Sequence, residues 1–104
     1  MPEFQLSEWC IDSQGGTFSR DGHKVHVEPR VMDVLICLVE AGNEVVSRER
    51  LLETVWGNVV VSEEALTRCI SELRTLLGDT GRQRRYIRTV PKRGYALIVA
   101  AQGF

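Results

Sequence analysis

Six cations lie close together near the C-terminal end of the chain. The stretch from residue 82 to residue 93 contains no acidic residue and holds Arg82, Arg84, Arg85, Arg88, Lys92 and Arg93. Such a density creates a local positive field whatever the total charge of the chain is. Long cationic side chains of this kind can reach phosphate groups. A solvated loop that happens to be basic explains the charge run equally well when charge is the only argument.

Groups that could carry catalysis or hold a metal ion are scarce. His23 and His26 are three residues apart on an expected strand, so they face opposite sides and cannot easily share a metal ion. Glu63 and Glu64 are adjacent on an expected helix, and first-turn helix charge explains them better than a catalytic pair. Walker, dinucleotide-binding and nucleophile-elbow motifs do not occur. We therefore expect no enzyme activity, no metal, no cofactor and no small-molecule substrate.

Composition limits the remaining possibilities. The 104 residues are 43% hydrophobic and 26% charged, which indicates one globular domain over residues 1–104 with a core from about residue 8 to residue 99. Cys10, Cys37 and Cys69 are odd in number and far apart, which indicates a reducing compartment. The sequence lacks a secretory signal and any window near the roughly 18 apolar residues that span a bilayer. We expect a soluble, cytoplasmic chain.

The overall charge conceals a segregated distribution. A net charge of −1 argues at first against nucleic acid. Residues 1–60, however, hold 5 basic and 10 acidic residues, a net charge of −5, whereas residues 61–104 hold 8 and 4, a net charge of +4. The positive charge is therefore concentrated in the C-terminal part of the chain.

The strands and helices that carry these residues can be predicted from hydrophobic periodicity and from turn and capping residues. Short strands are expected at residues 9–11, 17–20 and 23–27, with Asp21-Gly22 forming a two-residue type I′ turn. A first helix is expected from Pro29 to the Ala41-Gly42 stop, and a second behind the N-cap Ser47 as far as Gly57. A third is expected to start at Ser62 and to end at Gly78-Asp79-Thr80-Gly81. The result is a small antiparallel sheet followed by three helices.

The third helix has one apolar and one polar face. Its apolar stripe is Leu66, Cys69, Ile70, Leu73, Leu76 and Leu77. The opposite face carries Glu64, Thr67, Arg68, Ser71 and Thr75, with Glu72 and Arg74 on the flanks. One interpretation is a surface helix whose Arg68 is occupied by i,i+4 ion pairs with Glu64 and Glu72. The other is that small hydrogen-bonding side chains beside Arg68 reach base edges.

The basic run becomes a hairpin whose tip projects. Two strand-like segments flank Pro91, with Tyr86, Val90, Tyr95 and Leu97 expected to pack inside. Pro91 stiffens the turn, Gly94 permits positive φ, and Lys92 with Arg93 remains at the apex, where the cations can reach a phosphate or a narrow minor groove. A polar-faced helix followed by a basic hairpin predicts an α+β winged helix-turn-helix that reads duplex DNA.

Several separate motifs occur in a recognisable order along the chain: Glu28–Arg30, Val46–Glu49, Leu52–Trp56, Ile70–Arg74, Leu77–Asp79 and Thr89–Tyr95. With these motifs, the chain from about Glu8 to Val99 resembles the OmpR/PhoB-type winged-helix effector domains. Within that family it is most similar to the CadC/ToxR group of regulators.

The resemblance implies a bacterial transcription regulator that binds double-stranded DNA sequence-specifically. It implies that the third helix enters the major groove and the hairpin wing contacts the adjacent minor groove and backbone. Carried over by position, the recognition-helix residues are Glu64, Thr67, Arg68, Ser71, Arg74 and Thr75, with Arg74 toward phosphate, and the wing residues are Arg88, Thr89, Lys92 and Arg93. Glu64 and Glu72 make this helix less basic than many in the family.

The resemblance also implies partners beyond DNA and a longer protein. The loop formed by Gly57, Asn58, Val59, Val60 and Val61 would meet RNA polymerase or a neighbouring protomer. Regulators of the CadC/ToxR group carry this domain at a cytoplasmic N-terminus, which agrees with a chain that begins with Met and has nothing before the domain. A linker, one inner-membrane helix and a periplasmic sensor would follow Phe104. The alternative function is a winged-helix protein-interaction module that does not bind DNA.

Overall fold

Eleven elements build the fold of residues 3–104, which the computed structural model describes. Eight are strands and three are helices, and in chain order they are β1 (Glu3–Leu6), β2 (Trp9–Asp12), β3 (Thr17–Arg20), β4 (His23–His26), α1 (Pro29–Glu40), β5 (Val46–Ser47), α2 (Arg48–Trp56), α3 (Glu63–Leu77), β6 (Ile87–Val90), β7 (Gly94–Leu97) and β8 (Ala101–Gln102). The described part of the chain has the predicted order of sheet, three helices and hairpin.

The N-terminal sheet is larger than the sequence indicated. Its antiparallel strand order is β4-β3-β2-β1-β8, so two unpredicted strands extend the three that were expected. Phe4 and Leu6 on β1 are buried, and Ala101 packs against the core, so the core is wider than the predicted 8–99. Asp21 and Gly22 have φ angles of 53° and 81°, which confirms the predicted turn between β3 and β4.

The helices begin and end close to where their capping residues predicted. Pro29 occupies the first turn of α1, and the Ser47 hydroxyl accepts a hydrogen bond of 3.0 Å from the Arg50 backbone N–H at the start of α2. Ser62 is the N-cap of α3 and has an extended backbone, and the first helical residue is Glu63. Gly78 ends α3 in the left-handed conformation, with φ of 75°.

The core lies between the three helices and the two sheets. Helix α1 packs against both α2 and α3, and the fully buried Leu35, Leu38 and Leu73 lie in the core. The apolar stripe of α3 faces inward as predicted, except that Leu76 is only half-buried. Because this stripe fixes the rotation of α3 about its own axis, the polar stripe opposite must face solvent.

The C-terminal sheet holds the hairpin against the start of α2. Its strand order is β5-β7-β6, with Val46 paired to Tyr95 and Ser47 paired to Gly94. Gly94 has a φ of 149°, and a Cβ atom there would overlap the Val46 carbonyl oxygen. Only glycine therefore allows the hairpin to approach β5 so closely.

The connection between α3 and β6 is organised by a buried carboxylate. Asp79 is 1% exposed and accepts three backbone N–H bonds, from Arg85 at 2.6 Å, Tyr86 at 3.2 Å and Ile87 at 3.0 Å. The Arg84 guanidinium donates to the Asp79 carbonyl oxygen at 2.6 Å. These bonds fix the base of the hairpin relative to the end of α3.

Candidate nucleic-acid interface

The polar face of α3 is exposed along its length. Glu64, Thr67, Arg68, Ser71 and Thr75 are all exposed, as the helical spacing predicted. The i,i+4 ion pairs that could have occupied Arg68 do not form, because no ion pair among residues 3–104 involves that side chain. The guanidinium of Arg68 is thus available, together with the hydroxyls of Ser71 and Thr75, for contacts outside the domain.

The tip of the hairpin is a tight turn with cations at its apex. The Arg93 backbone N–H donates to the Val90 carbonyl oxygen at 3.0 Å, and Lys92 has a positive φ of 64°. Pro91 followed by positive φ is the geometry of a type II turn, with Lys92 at the position that usually holds glycine. Sequence reasoning assigned positive φ to Gly94 and did not anticipate it at Lys92.

The wing residues named from the sequence are exposed. Arg88, Thr89, Lys92 and Arg93 all lie at the surface of the hairpin, and none of its three cations forms an ion pair within the described part of the chain. Tyr86, Tyr95 and Leu97 are buried as expected. Val90, also expected inside, is only half-buried because it lies where β6 reaches the turn.

Arg48 is a central residue of the site that sequence reasoning missed. From the first turn of α2 it reaches α3, donating to Glu63 Oε1 at 2.9 Å, to the Glu63 carbonyl oxygen at 3.0 Å and to Thr67 Oγ1 at 3.0 Å. It also donates to the Tyr95 hydroxyl on β7 at 2.6 Å. The hydrogen bond to Glu63 is the main cause of a raised pKa of Arg48. Because these partners are 15 to 47 residues away, no local spacing indicated this role.

Arg74 connects the C-terminal half of α3 to the wing. Its Nη2 atom donates to the Ile87 carbonyl oxygen and to Thr89 Oγ1, both at 2.9 Å. The side chain is half-buried, and burial, followed by the nearby charge of Arg84, lowers the pKa of Arg74. The guanidinium therefore has partners within the domain, on the flank of the polar face.

The connection between α2 and α3 exposes an apolar point. Val60 is 98% exposed and Val59 is 56% exposed, whereas Val61 packs partly against the core. Gly57 and Asn58 are also exposed. Four of the five residues predicted to form a contact loop are therefore exposed, Val61 is partly buried, and Val60 is the most exposed side chain that could contact a protein.

The part of the chain that the structure describes contains neither a metal-binding cluster nor a membrane-spanning helix. No cluster of three or more His, Cys, Asp or Glu residues there could hold a metal ion, and no helix there is long and apolar enough to cross a membrane. Cys37 and Cys69 are buried free thiols, and burial raises the pKa of both.

Comparison with known proteins identifies the family. The model of the family described as transcriptional regulatory protein, C terminal, matches residues 22–97. The transcriptional activator CadC of Escherichia coli K12 is 38% identical over 99 residues, covering 94% of this chain and 19% of CadC. The transcriptional regulator HilA of Salmonella typhimurium is 44% identical over 85 residues, covering 82% of this chain and 15% of HilA. The chain thus spans less than a fifth of either relative.

Solved structures agree with the sequence relatives. The DNA-binding domain of Escherichia coli CadC superposes with a TM-score of 0.87 at 34% identity, covering 100% of this chain and 98% of that one. The Thermotoga maritima OmpR/PhoB homologue DrrB gives 0.79 at 30% identity, over 92% of this chain and 44% of DrrB. The Klebsiella pneumoniae RstA DNA-binding domain, solved with its RstA box, gives 0.78 over 93% and 97% of the two chains, and at 22% identity it shows the fold alone. The chain belongs to the family of transcriptional regulatory protein C-terminal domains and is an OmpR/PhoB-type winged helix of the CadC-like group.

Proposed function

We propose that this domain is the sequence-specific duplex-DNA-binding part of a bacterial transcriptional regulator. Helix α3 would enter the major groove, and the wing formed by β6 and β7 would contact the adjacent minor groove and backbone. The proposal is supported by exposed polar side chains on α3 that lie beside the wing hairpin. The cations of this hairpin form no ion pair within residues 3–104.

The exposed face of α3 has the chemistry of base reading. An arginine such as Arg68 can donate two hydrogen bonds to guanine O6 and N7, and the hydroxyls of Ser71 and Thr75 can pair with several base edges. Glu64 can accept from the amino group of cytosine. Because Ser71 and Thr75 are small, the helix can enter a groove about 12 Å wide without steric conflict.

The wing has the chemistry of backbone binding. Lys92 and Arg93 lie at the tip of a rigid turn, and Arg88 lies on the strand leading to it. Cations presented this way neutralise phosphates and release counterions, which makes binding strongly dependent on salt. They orient the domain on the duplex while α3 reads the sequence.

The wing assignment is tested by removing its cations. Lys92→Ala and Arg93→Ala should each weaken binding to every duplex and reduce the slope of log K against log salt by about 0.9, because each removes one phosphate contact. Fluorescence anisotropy over several salt concentrations measures both quantities. Lys24→Ala on β4 is the matched control, since it removes one exposed cation outside the proposed interface. Equal slopes for the wing variants and wild type would refute the assignment.

The exposed Val59 and Val60 favour a second candidate, a protein contact. Their exposure suits a partner such as RNA polymerase or a second protomer on DNA, or, in the alternative function, a partner bound without DNA. Val60→Asp should abolish capture of the protein partner and leave the affinity of one domain for a single half-site unchanged. Val25→Asp, at another exposed valine, is the control. Weaker binding of Val60→Asp to a single half-site would instead place this loop at the DNA interface.

We also propose that the domain works in the cytoplasm, joined to a longer protein anchored in the inner membrane. The 19% coverage of CadC supports a longer protein, and the resemblance to the CadC/ToxR group supports the anchor. Fractionation of cells that express the full-length protein tests this proposal. Recovery in the soluble fraction would contradict it.

A further inference from the structure

Two arginines from different helices bind the same rung of the wing hairpin. Thr89 on β6 and Tyr95 on β7 are directly opposed in the antiparallel ladder, so their side chains point to the same face of the hairpin. Arg74 donates to the Thr89 hydroxyl at 2.9 Å, and Arg48 donates to the Tyr95 hydroxyl at 2.6 Å. The rung is therefore held from both strands.

The same two arginines are fixed to α3 at separate points. Arg48 is bound to the first turns of α3 through Glu63 and Thr67, with three hydrogen bonds between 2.9 and 3.0 Å. Arg74 is a residue of α3 itself, two turns further along, and it donates a further bond to the Ile87 carbonyl oxygen. Helix and hairpin are thus joined at both halves of α3 by charged donors, which form stronger hydrogen bonds than neutral ones.

We propose that Arg48 and Arg74 form a clamp that sets the position of the wing relative to α3 before DNA binds. The inference rests on the proposed function and deepens it. If α3 and the wing occupy neighbouring grooves, their relative position decides whether both can engage one half-site at once. A clamp that fixes this position removes an ordering cost from binding.

The clamp divides the predicted site residues into two groups. Thr67, Arg74 and Thr89 are positioning residues, because their polar groups are bonded inside the domain. The Nε atom of Arg74 is buried and has no hydrogen-bond partner among the described residues, so this guanidinium lies inside the domain rather than extended into solvent. Arg68, Ser71 and Thr75 remain for contact with bases.

The clamp is tested by variants that remove its acceptors and keep the shape of the rung. In Tyr95→Phe combined with Thr89→Val, affinity for a selected operator should fall about tenfold, roughly 1.4 kcal/mol. Affinity for random duplex should change less, and the salt slope should stay at the wild-type value, because no cation is removed. In the free protein, hydrogen exchange of the wing amides should accelerate. Tyr86→Phe is the matched control, since within residues 3–104 Tyr86 forms hydrogen bonds through its backbone and none through its hydroxyl.

The arginine side of the clamp is tested by Arg48→Met against Arg50→Met, which removes the same charge from the same helix without breaking the clamp. Arg48→Met should lower operator selectivity, whereas Arg50→Met should not. Wild-type selectivity in all acceptor and arginine variants would overturn the clamp. A salt slope reduced by about 0.9 in Arg48→Met but not in Arg50→Met would also overturn it, since Arg48 would then contact phosphate. Failure of the wild type itself to select an operator would refute the proposed function instead.

Discussion

At the scale of single residues, arginine has two separate uses in this domain. Arg48 and Arg74 are bonded to partners on other elements, whereas Arg68, Arg88 and Arg93 have no ion-pair partner within residues 3–104. The planar guanidinium suits both uses, because its donors match a set of fixed acceptors inside the protein as well as phosphate and guanine outside it. Lysine at position 48 could not make the same four bonds.

Asp79 is the residue on which the base of the wing depends. Asp79→Asn should lower the free energy of unfolding by about 2–4 kcal/mol, because one acceptor oxygen cannot serve three backbone donors and the new amide group faces them. Denaturant unfolding measures the loss. Asp12→Asn is the matched control, since the Asp12 side chain accepts one bond, from Gly15 N–H at 2.8 Å, at an exposed position. Equal, small losses in both variants would show that Asp79 does not organise this connection.

The sequence predicts which face of an element a residue lies on more easily than it predicts the residue's hydrogen-bond partners. The exposed polar face of α3 followed from helical spacing, because residues three and four apart share a face. The partners of Arg48 lie 15 to 47 residues away, and those of Asp79 are backbone groups that carry no side-chain signal. The resemblance implied that Arg74 contacts a DNA phosphate, and that role stays a prediction. In the structure Arg74 forms hydrogen bonds to the wing.

At the scale of elements, the wing combines a rigid turn with backbone strain at the residue that should contact DNA. Lys92 occupies the third position of a type II turn with φ of 64°, where a side chain costs energy that glycine avoids. Glycine would relieve the strain and remove the cation. Lysine at this position thus keeps a cation at the tip at a cost in stability.

Lys92→Gly should therefore separate stability from binding. We expect the free energy of unfolding to rise by about 1 kcal/mol, because the left-handed conformation no longer carries a Cβ penalty. DNA affinity should fall at the same time, because one phosphate contact is lost. Lys92→Ala should lose affinity to a similar extent without gaining stability. Unchanged affinity in both variants would show that Lys92 does not contact DNA.

Elements with local signals were predicted, and elements that depend on distant pairing were not. The hairpin around Pro91 and the helix ends at Ser47, Gly57 and Gly78 followed from turn and capping chemistry. The strands β5 and β8 have two residues each, and they form only because β7 and β1 lie beside them in the folded chain. Such short segments have no periodicity from which to predict them.

At the scale of the whole molecule, the distribution of charge matters more than its sum. The net charge is −1, yet residues 61–104, which contain α3 and the wing, hold 8 basic and 4 acidic residues. The acidic excess lies in residues 1–60, whose described part contains β1 to β4, α1, β5 and α2. A domain polarised in this way can approach DNA with its positive part first.

Sequence-specific binding of duplex DNA by this domain can be measured by selection followed by titration. Purified domain is titrated by fluorescence anisotropy against duplexes selected from a random pool and against the unselected pool, at several salt concentrations. We predict enrichment of a repeated half-site, tighter binding to it than to the unselected pool, and affinity that falls steeply with salt. Flat anisotropy with both pools at low salt, from a domain whose fold is verified by circular dichroism, would show that this domain does not bind duplex DNA.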